Sequence, residues 1–149
     1  MDIQDIITQQ SEILHKIKNA VIDEKKVLIK NDGEALSEIL KTKTALIEAL
    51  DLIKTTYLTK YGETKVSEMD LPKEQKYQIQ TQISDIKAIH KEICEYQEIN
   101  LILTQQSIAY QNTMMYVIQQ AIKKSGSIYG DNGKIESNEK VKTSIDQSV

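Results

Sequence analysis

The sequence predicts an all-α protein: an antiparallel three-helix bundle, or coiled coil, in which a two-helix hairpin packs on a long third helix. Two observations support this fold class. The 149-residue chain has one proline and five glycines, so few positions interrupt a helix. Its apolar residues recur at three- and four-residue steps, which is the spacing of one helix face. We expect a helical domain over residues 1–126 and a disordered, flexible polar tail over residues 127–149.

The first helix is predicted from Ile3 to Lys30. Asp2 stands at the position of an N-cap, and Asp5 follows three residues later, where its side chain completes a capping box. The apolar residues of this helix alternate between four- and three-residue steps, which favours coiled-coil packing. Gln10 and Glu24 interrupt the apolar series, and we expect them to lower stability locally and to help set the register.

The segment Asn31-Asp32-Gly33 ends the first helix, since glycine tolerates the left-handed conformation and Asn or Asp caps a following helix. A connection this short makes the second helix, about Glu34 to Lys60, return antiparallel. Lys43 stands where the second helix would otherwise carry an apolar residue, at about the level of Glu24. Two interpretations remain open: a partly buried ion pair between Lys43 and Glu24, or a lysine whose stem covers the seam while its ammonium stays in water.

The third helix is predicted from about Pro72 to Lys124, after a loop over residues 61–71. Asp70 is the expected cap, and Pro72 suits the first turn because its missing N–H costs nothing there. No glycine or proline occurs between Lys73 and Ser125. The helix carries one apolar stripe: Ile79, Ile83, Ile86, Ile89, Ile93, Tyr96, Leu103, Tyr110, Met114 and Val117. Because this helix is roughly twice as long as either partner, we expect part of it to be less completely covered.

A second apolar series appears in the C-terminal half of the third helix. It consists of Leu101, Ile108, Met115 and Ile122, with Ile118 beside them. Together with the first stripe it makes an apolar arc wider than one packing seam. Such an arc is explained either by the core of a bundle or by an outside partner. We favour a partner surface, because methionine side chains adapt to varied surfaces.

Composition and charge argue against several classes of function. The net charge is −3 and every basic residue is lysine, which argues against nucleic-acid binding because bidentate contacts from arginine are missing. We expect a cytoplasmic protein, since no secretory signal or membrane span is apparent. His90 and Cys94 are four residues apart on a helix, but a structural metal site needs four ligands. We therefore predict no metal, no cofactor and no enzymatic activity.

Three stretches of the chain resemble the FlgN-type export chaperones of the bacterial flagellum. The first is the hairpin pattern from Glu24 to Leu50, with Asp32-Gly33-Glu34 at its turn. The second is Glu98-Ile99-Asn100-Leu101-Ile102-Leu103, an Asn before a Leu-rich run. The third is Ile128-Tyr129-Gly130-Asp131-Asn132-Gly133, a tyrosine with glycines after the long helix. The likeness covers about residues 3–135, although this chain has no arginine and an extended polar tail.

The resemblance implies a non-enzymatic, cytosolic chaperone that holds the hook–filament junction (hook-associated) proteins and presents them at the type III export gate. It implies that the C-terminal half of the chain binds the client. In this chain the expected client-binding residues are those of the second apolar series. The tyrosine after the helix, Tyr129, is the implied docking residue for the gate, and Asn100 is expected to set helix register. The expected protein is a monomer or weak dimer. The alternative is a self-associating structural helical bundle whose wide arc buries a second copy.

Overall fold

Three α-helices make up the fold, and the computed structural model describes residues 1–127, with the backbone alone for residues 125–127. Helix α1 is Ile3–Lys30, α2 is Gly33–Tyr61 and α3 is Lys73–Ser127. A single 3₁₀ turn, Val66–Glu68, lies between α2 and α3. The described residues fall into two units, the first Met1–Leu101 and the second residues 102–127.

The first helix begins as the sequence predicts. The side chain of Asp2 accepts a hydrogen bond from the backbone N–H of Asp5 at 2.9 Å. In return, the Asp5 carboxylate accepts one from the backbone N–H of Asp2 at 3.3 Å. These two bonds satisfy N–H groups that have no partner inside the helix, so the capping box is confirmed.

The turn between α1 and α2 differs in one respect from the prediction. Asn31, rather than Gly33, adopts the left-handed conformation, with φ of 55°. Asn31 ends α1 by donating its N–H to the carbonyl of Leu28 at 3.3 Å. Asp32 then caps α2, its side chain accepting from the N–H of Ala35 at 3.1 Å. Asparagine tolerates the left-handed region, so Gly33 is left to serve as the first residue of α2.

The connection from α2 to α3 is more ordered than the expected loop. The side chain of Val66, in the 3₁₀ turn, is buried in the main hydrophobic core. The Tyr57 hydroxyl donates to the carbonyl of Thr64. The carbonyl of Pro72 accepts the N–H of Lys76 at 2.9 Å, so Pro72 is the N-cap residue of α3. The expectation that Asp70 is the cap and that Pro72 lies inside the helix is therefore wrong.

Contacts within the first unit show the relative directions of the three helices. Lys43 of α2 pairs with Glu24 of α1, and Lys60 donates to the carbonyl of Met1, so α1 and α2 are antiparallel. Gln4 donates to Gln82 of α3 at 2.7 Å. Further along α1, Lys18 forms an ion pair with Glu92, a later residue of α3, at 2.6 Å. Helices α1 and α3 therefore run parallel, and α2 runs antiparallel to both. The predicted antiparallel three-helix architecture is confirmed.

The core of the first unit is built mainly from isoleucine on α1 and α3. Its buried members are Ile3, Ile7, Leu14, Ile17, Val21, Val66, Ile79, Ile86, Ile89 and Ile93. Helix α2 contributes less, because Ile53 is the only residue of α2 that is buried. Leu46, Leu50 and Tyr57 of α2 are partly buried against this core. The unequal contribution leaves apolar surface along α2.

In the second unit, the structure describes residues 102–127, all of them helical. None of the side chains described over residues 102–124 is buried. Tyr110, Met114 and Val117 continue the stripe that is buried earlier in α3, but here they are exposed. The expectation that part of this long helix is less completely covered therefore agrees with the structure over residues 102–124.

Candidate functional site

The hairpin brings together the two charged residues that interrupt its apolar seam. The Nζ atom of Lys43 lies 3.0 Å from Oε2 of Glu24, and the two side chains are 14% and 8% exposed. Both charges are thus largely removed from water, so each depends on the other for its stabilisation. The pair joins one position of α1 to one position of α2, nearer to the turn of the hairpin than to its open end.

Asn100 makes a comparable contact between α1 and α3. Its side chain is 1% exposed, and its Nδ2 atom donates to the backbone carbonyl of Val21 at 2.9 Å. A carbonyl oxygen has two lone pairs, so a carbonyl within a helix can accept this second bond. The bond links one position of α3 to one position of α1. Asn100 therefore lies inside the bundle.

The residues predicted to bind a client are all exposed. Leu101, the last residue of the first unit, is exposed, as are Ile108, Met115, Ile118 and Ile122 in the second. Ile108, Met115 and Ile122 are spaced by seven residues and therefore share one face of the helix. We call these three residues, with Ile118 beside them, the apolar face of the second unit. Ile108 is 51% exposed and Met115 is 56% exposed.

The exposed apolar surface of α3 extends beyond the predicted set. Ile99 and Ile102 are exposed on either side of Leu101, and Tyr110, Met114 and Val117 are exposed in the second unit. These last three belong to the first apolar stripe of the third helix, which together with the second series makes the wide arc that is predicted from the sequence to be a partner surface. Spacing alone does not reveal where along a helix the neighbouring helices stop covering it.

The possible metal or nucleophilic pair of α3 has a loose geometry. The Sγ atom of Cys94 lies 3.9 Å from Nδ1 of His90, and Cys94 is exposed. Within residues 1–127, no three side chains of the His, Cys, Asp or Glu type come together as a metal site requires.

Tyr129, the predicted docking residue, lies outside the described residues, as does all of the predicted tail from residue 128 onward. In the described part of the chain, no helix combines the length and the apolarity that a membrane crossing requires.

Comparison with known proteins identifies the family. The family model described as FlgN protein matches residues 1–137. No curated protein matches the chain, and no solved structure matches it. The family match includes the hairpin with its Glu24–Lys43 pair, the buried Asn100 and the apolar face of the second unit. The chain therefore belongs to the FlgN family, a family of flagellar export chaperones.

Proposed function

We propose that this protein is a cytoplasmic chaperone that binds the hook–filament junction (hook-associated) proteins and delivers them to the type III export gate. Family membership supports the general role of flagellar export chaperone. The observation that carries the finer proposal is the apolar face of the second unit. Its four members, Ile108, Met115, Ile118 and Ile122, are each about half exposed or more.

An apolar face of this kind favours association. Each large aliphatic side chain gains roughly 1.5–3 kcal/mol when it passes from water into a fully buried site. Contiguous apolar surface on a soluble protein commonly marks a site where a partner binds. Met114 and Met115 lie side by side on α3, and unbranched methionine adjusts its shape to different partners.

The spacing of the face suggests how a client is held. Residues seven apart on one helix present a straight apolar ridge, which matches the apolar stripe of an amphipathic helix. We propose that the client supplies such a helix from its C-terminal segment, the part that drives premature assembly. Burial on the chaperone covers that segment, and release at the gate requires no nucleotide hydrolysis by this chain.

Tyr129 is the proposed docking residue for the export gate. The proposal rests on the resemblance of residues 128–133 to the tyrosine-and-glycine segment of the family. A tyrosine suits this role, because its ring buries a large apolar area while its hydroxyl forms a hydrogen bond. In this account the client and the gate use separate parts of the chain.

A pull-down from the cytosol of the native host tests the proposal. The bait is the full chain, compared with the double variant Ile108→Asp, Met115→Asp. The matched control is Gln106→Asp, Thr113→Asp. Each control position is exposed and lies two residues before its counterpart, about 160° around the helix. We expect the wild type and the control to retain a hook-associated protein and the double variant to lose it, while all three keep their helical content.

The outcomes separate the proposal from its alternative. Loss of the client in the control as well would contradict the assignment of these residues. If no version retains a hook-associated protein and the wild type is a tight homodimer that Ile108→Asp, Met115→Asp dissociates, the apolar face is a self-association surface, and the chain is a structural helical bundle.

A further inference from the structure

A second apolar surface lies in the first unit, in a groove between α2 and α3. The groove has a volume of about 820 Å³, within the range of roughly 300–1,000 Å³ typical of binding pockets. Its floor includes Ile7 of α1, and its walls include Ile47 of α2 and Ile83 of α3. Val66 of the 3₁₀ turn also lines it.

The groove exists because α2 is poorly covered. Within α2 only Ile53 is buried, and Ile47, on the groove wall, is about half exposed. The α2 wall runs from Ile47 to Tyr57, which at 1.5 Å per residue is about 15 Å. That length matches about three turns of a helix. A helix placed along the groove would complete a four-helix arrangement by packing on both walls.

The charges around the groove select the kind of helix. Lys54, Lys65 and Lys87 line it, against one acidic residue, Asp51. All three lysines are exposed. Among residues 1–127, no carboxylate lies within ion-pair distance of their ammonium groups. A partner that places carboxylates above an apolar stripe would complement both the walls and the lysines.

We propose that this groove is a second protein-docking site, which takes an acidic amphipathic helix of a partner protein. The partner's apolar stripe packs on Ile47, Ile53 and Ile83, and its acidic side chains face the three lysines. This site is separate from the apolar face of the second unit, and it does not depend on the proposed client. It gives the chaperone a means of binding a protein other than the client.

Designed helical peptides of about 12 residues, long enough for three turns, test this proposal with the full chain. One peptide has an apolar stripe and glutamates, a second replaces the glutamates by lysines, and a third scrambles the first so that the stripe is lost. Fluorescence anisotropy measures their affinity. We expect the acidic peptide to bind at least about ten-fold more tightly than the basic one. The scrambled peptide should not bind.

Two variants of the chain locate the binding. Reversal of charge in Lys54→Glu, Lys87→Glu should invert the preference, so that the basic peptide binds more tightly than the acidic one. The control Lys26→Glu, Lys41→Glu makes the same change in net charge at exposed residues outside the groove lining, and it should keep the preference for the acidic peptide. Ile47→Asp should abolish binding of both peptides, and its half-exposed position allows the chain to fold.

Several results would overturn the proposal. Equal affinity for the acidic and basic peptides would show that the three lysines do not select an acidic partner. Loss of binding in Ile108→Asp, Met115→Asp would place the peptide on the second unit instead. A homodimer of the free chain that Ile47→Asp dissociates would identify a second copy as the occupant. If decanoate instead displaced the acidic peptide in a way that depends on Lys54 and Lys87, that result would identify a small amphiphile, rather than a protein helix, as the occupant of the groove.

Discussion

The side chain of Asn100 on α3 donates a hydrogen bond to the backbone carbonyl of Val21 on α1, with 2.9 Å between Nδ2 and the oxygen. Val21 is fully buried and Asn100 nearly so. A polar group in such a place carries a desolvation cost that only a well-placed partner offsets. The bond is satisfied at one relative position of the two helices, so we expect it to help set their register.

Asn100→Ala should lower the free energy of unfolding by about 1–3 kcal/mol, because it removes a buried donor and leaves the space of the amide unfilled. Urea denaturation followed by circular dichroism measures the change. The nearby exposed substitution Glu98→Ala should shift it by less than about 0.5 kcal/mol. Equal effects of the two substitutions would show that the Asn100 bond has no special role.

The Glu24–Lys43 pair should couple strongly in a double-mutant cycle. Lys43→Met leaves the carboxylate of Glu24 buried without its counter-ion, and we expect a loss of about 2–4 kcal/mol in the free energy of unfolding. Glu24→Leu combined with Lys43→Met should recover most of that loss, because no buried charge remains.

The matched control for this cycle is the exposed pair Glu38–Lys41. Its atoms are 3.4 Å apart, and its side chains are 76% and 72% exposed. Coupling there should be below about 0.5 kcal/mol, since water screens both charges. A Glu24–Lys43 coupling as small as that of Glu38–Lys41 would mean that Lys43 acts only through its aliphatic stem.

Tyr57 should make the stability of the first unit depend on alkaline pH. Burial raises the pKa of Tyr57 above its ordinary value of 10.0, and electrostatic interactions with Tyr61 and Glu68 add to the effect. A raised pKa in the folded state means that the unfolded chain releases this proton first. The contribution of Tyr57 is therefore complete below pH 10.0 and declines as the pH rises through the folded pKa.

Tyr57→Phe isolates this contribution. At neutral pH the variant should lose about 1 kcal/mol of unfolding free energy, because the hydrogen bond to the carbonyl of Thr64 is removed. Above pH 10.0 the difference between the wild type and the variant should shrink. The measurement is urea denaturation at neutral and alkaline pH. A difference that grows with pH would have the wrong sign for a raised pKa.

Tyr129→Ala should separate docking at the gate from client binding. We expect the variant to hold a hook-associated protein as the wild type does, while its affinity for the export gate falls by at least about ten-fold. Tyr77→Ala, which removes an exposed ring at the start of α3, is the control and should leave both unchanged. An unchanged affinity of the Tyr129→Ala variant for the export gate would show that Tyr129 is not the docking residue.

Local features of the sequence predict much of the fold. The capping pair Asp2 and Asp5 marks the start of α1, because the bonds involved join residues three apart. Asn31-Asp32 marks the turn, and the shortness of that turn places Lys43 opposite Glu24. In each case a rule about near neighbours, or about the level of two residues in a hairpin, is sufficient.

Other features depend on three-dimensional contacts that no local pattern records. Asn100 is recognisable as a polar residue within an apolar run, but its acceptor is a backbone carbonyl, which every residue has. Val66 looks like an ordinary loop residue until the 3₁₀ turn places it in the core. The exposed lysines Lys54 and Lys87 line one groove only because α2 and α3 form its walls.

The central claim is that the apolar face of the second unit binds a client rather than a second copy of this chain. Size-exclusion chromatography with light scattering tests it most directly, on the purified chain alone and mixed with a purified hook-associated protein. The account predicts a monomer or weak dimer that forms a one-to-one complex with the client and fails to do so as Ile108→Asp, Met115→Asp. A tight homodimer that stays intact in the presence of the client, and forms no complex with it, would contradict the claim.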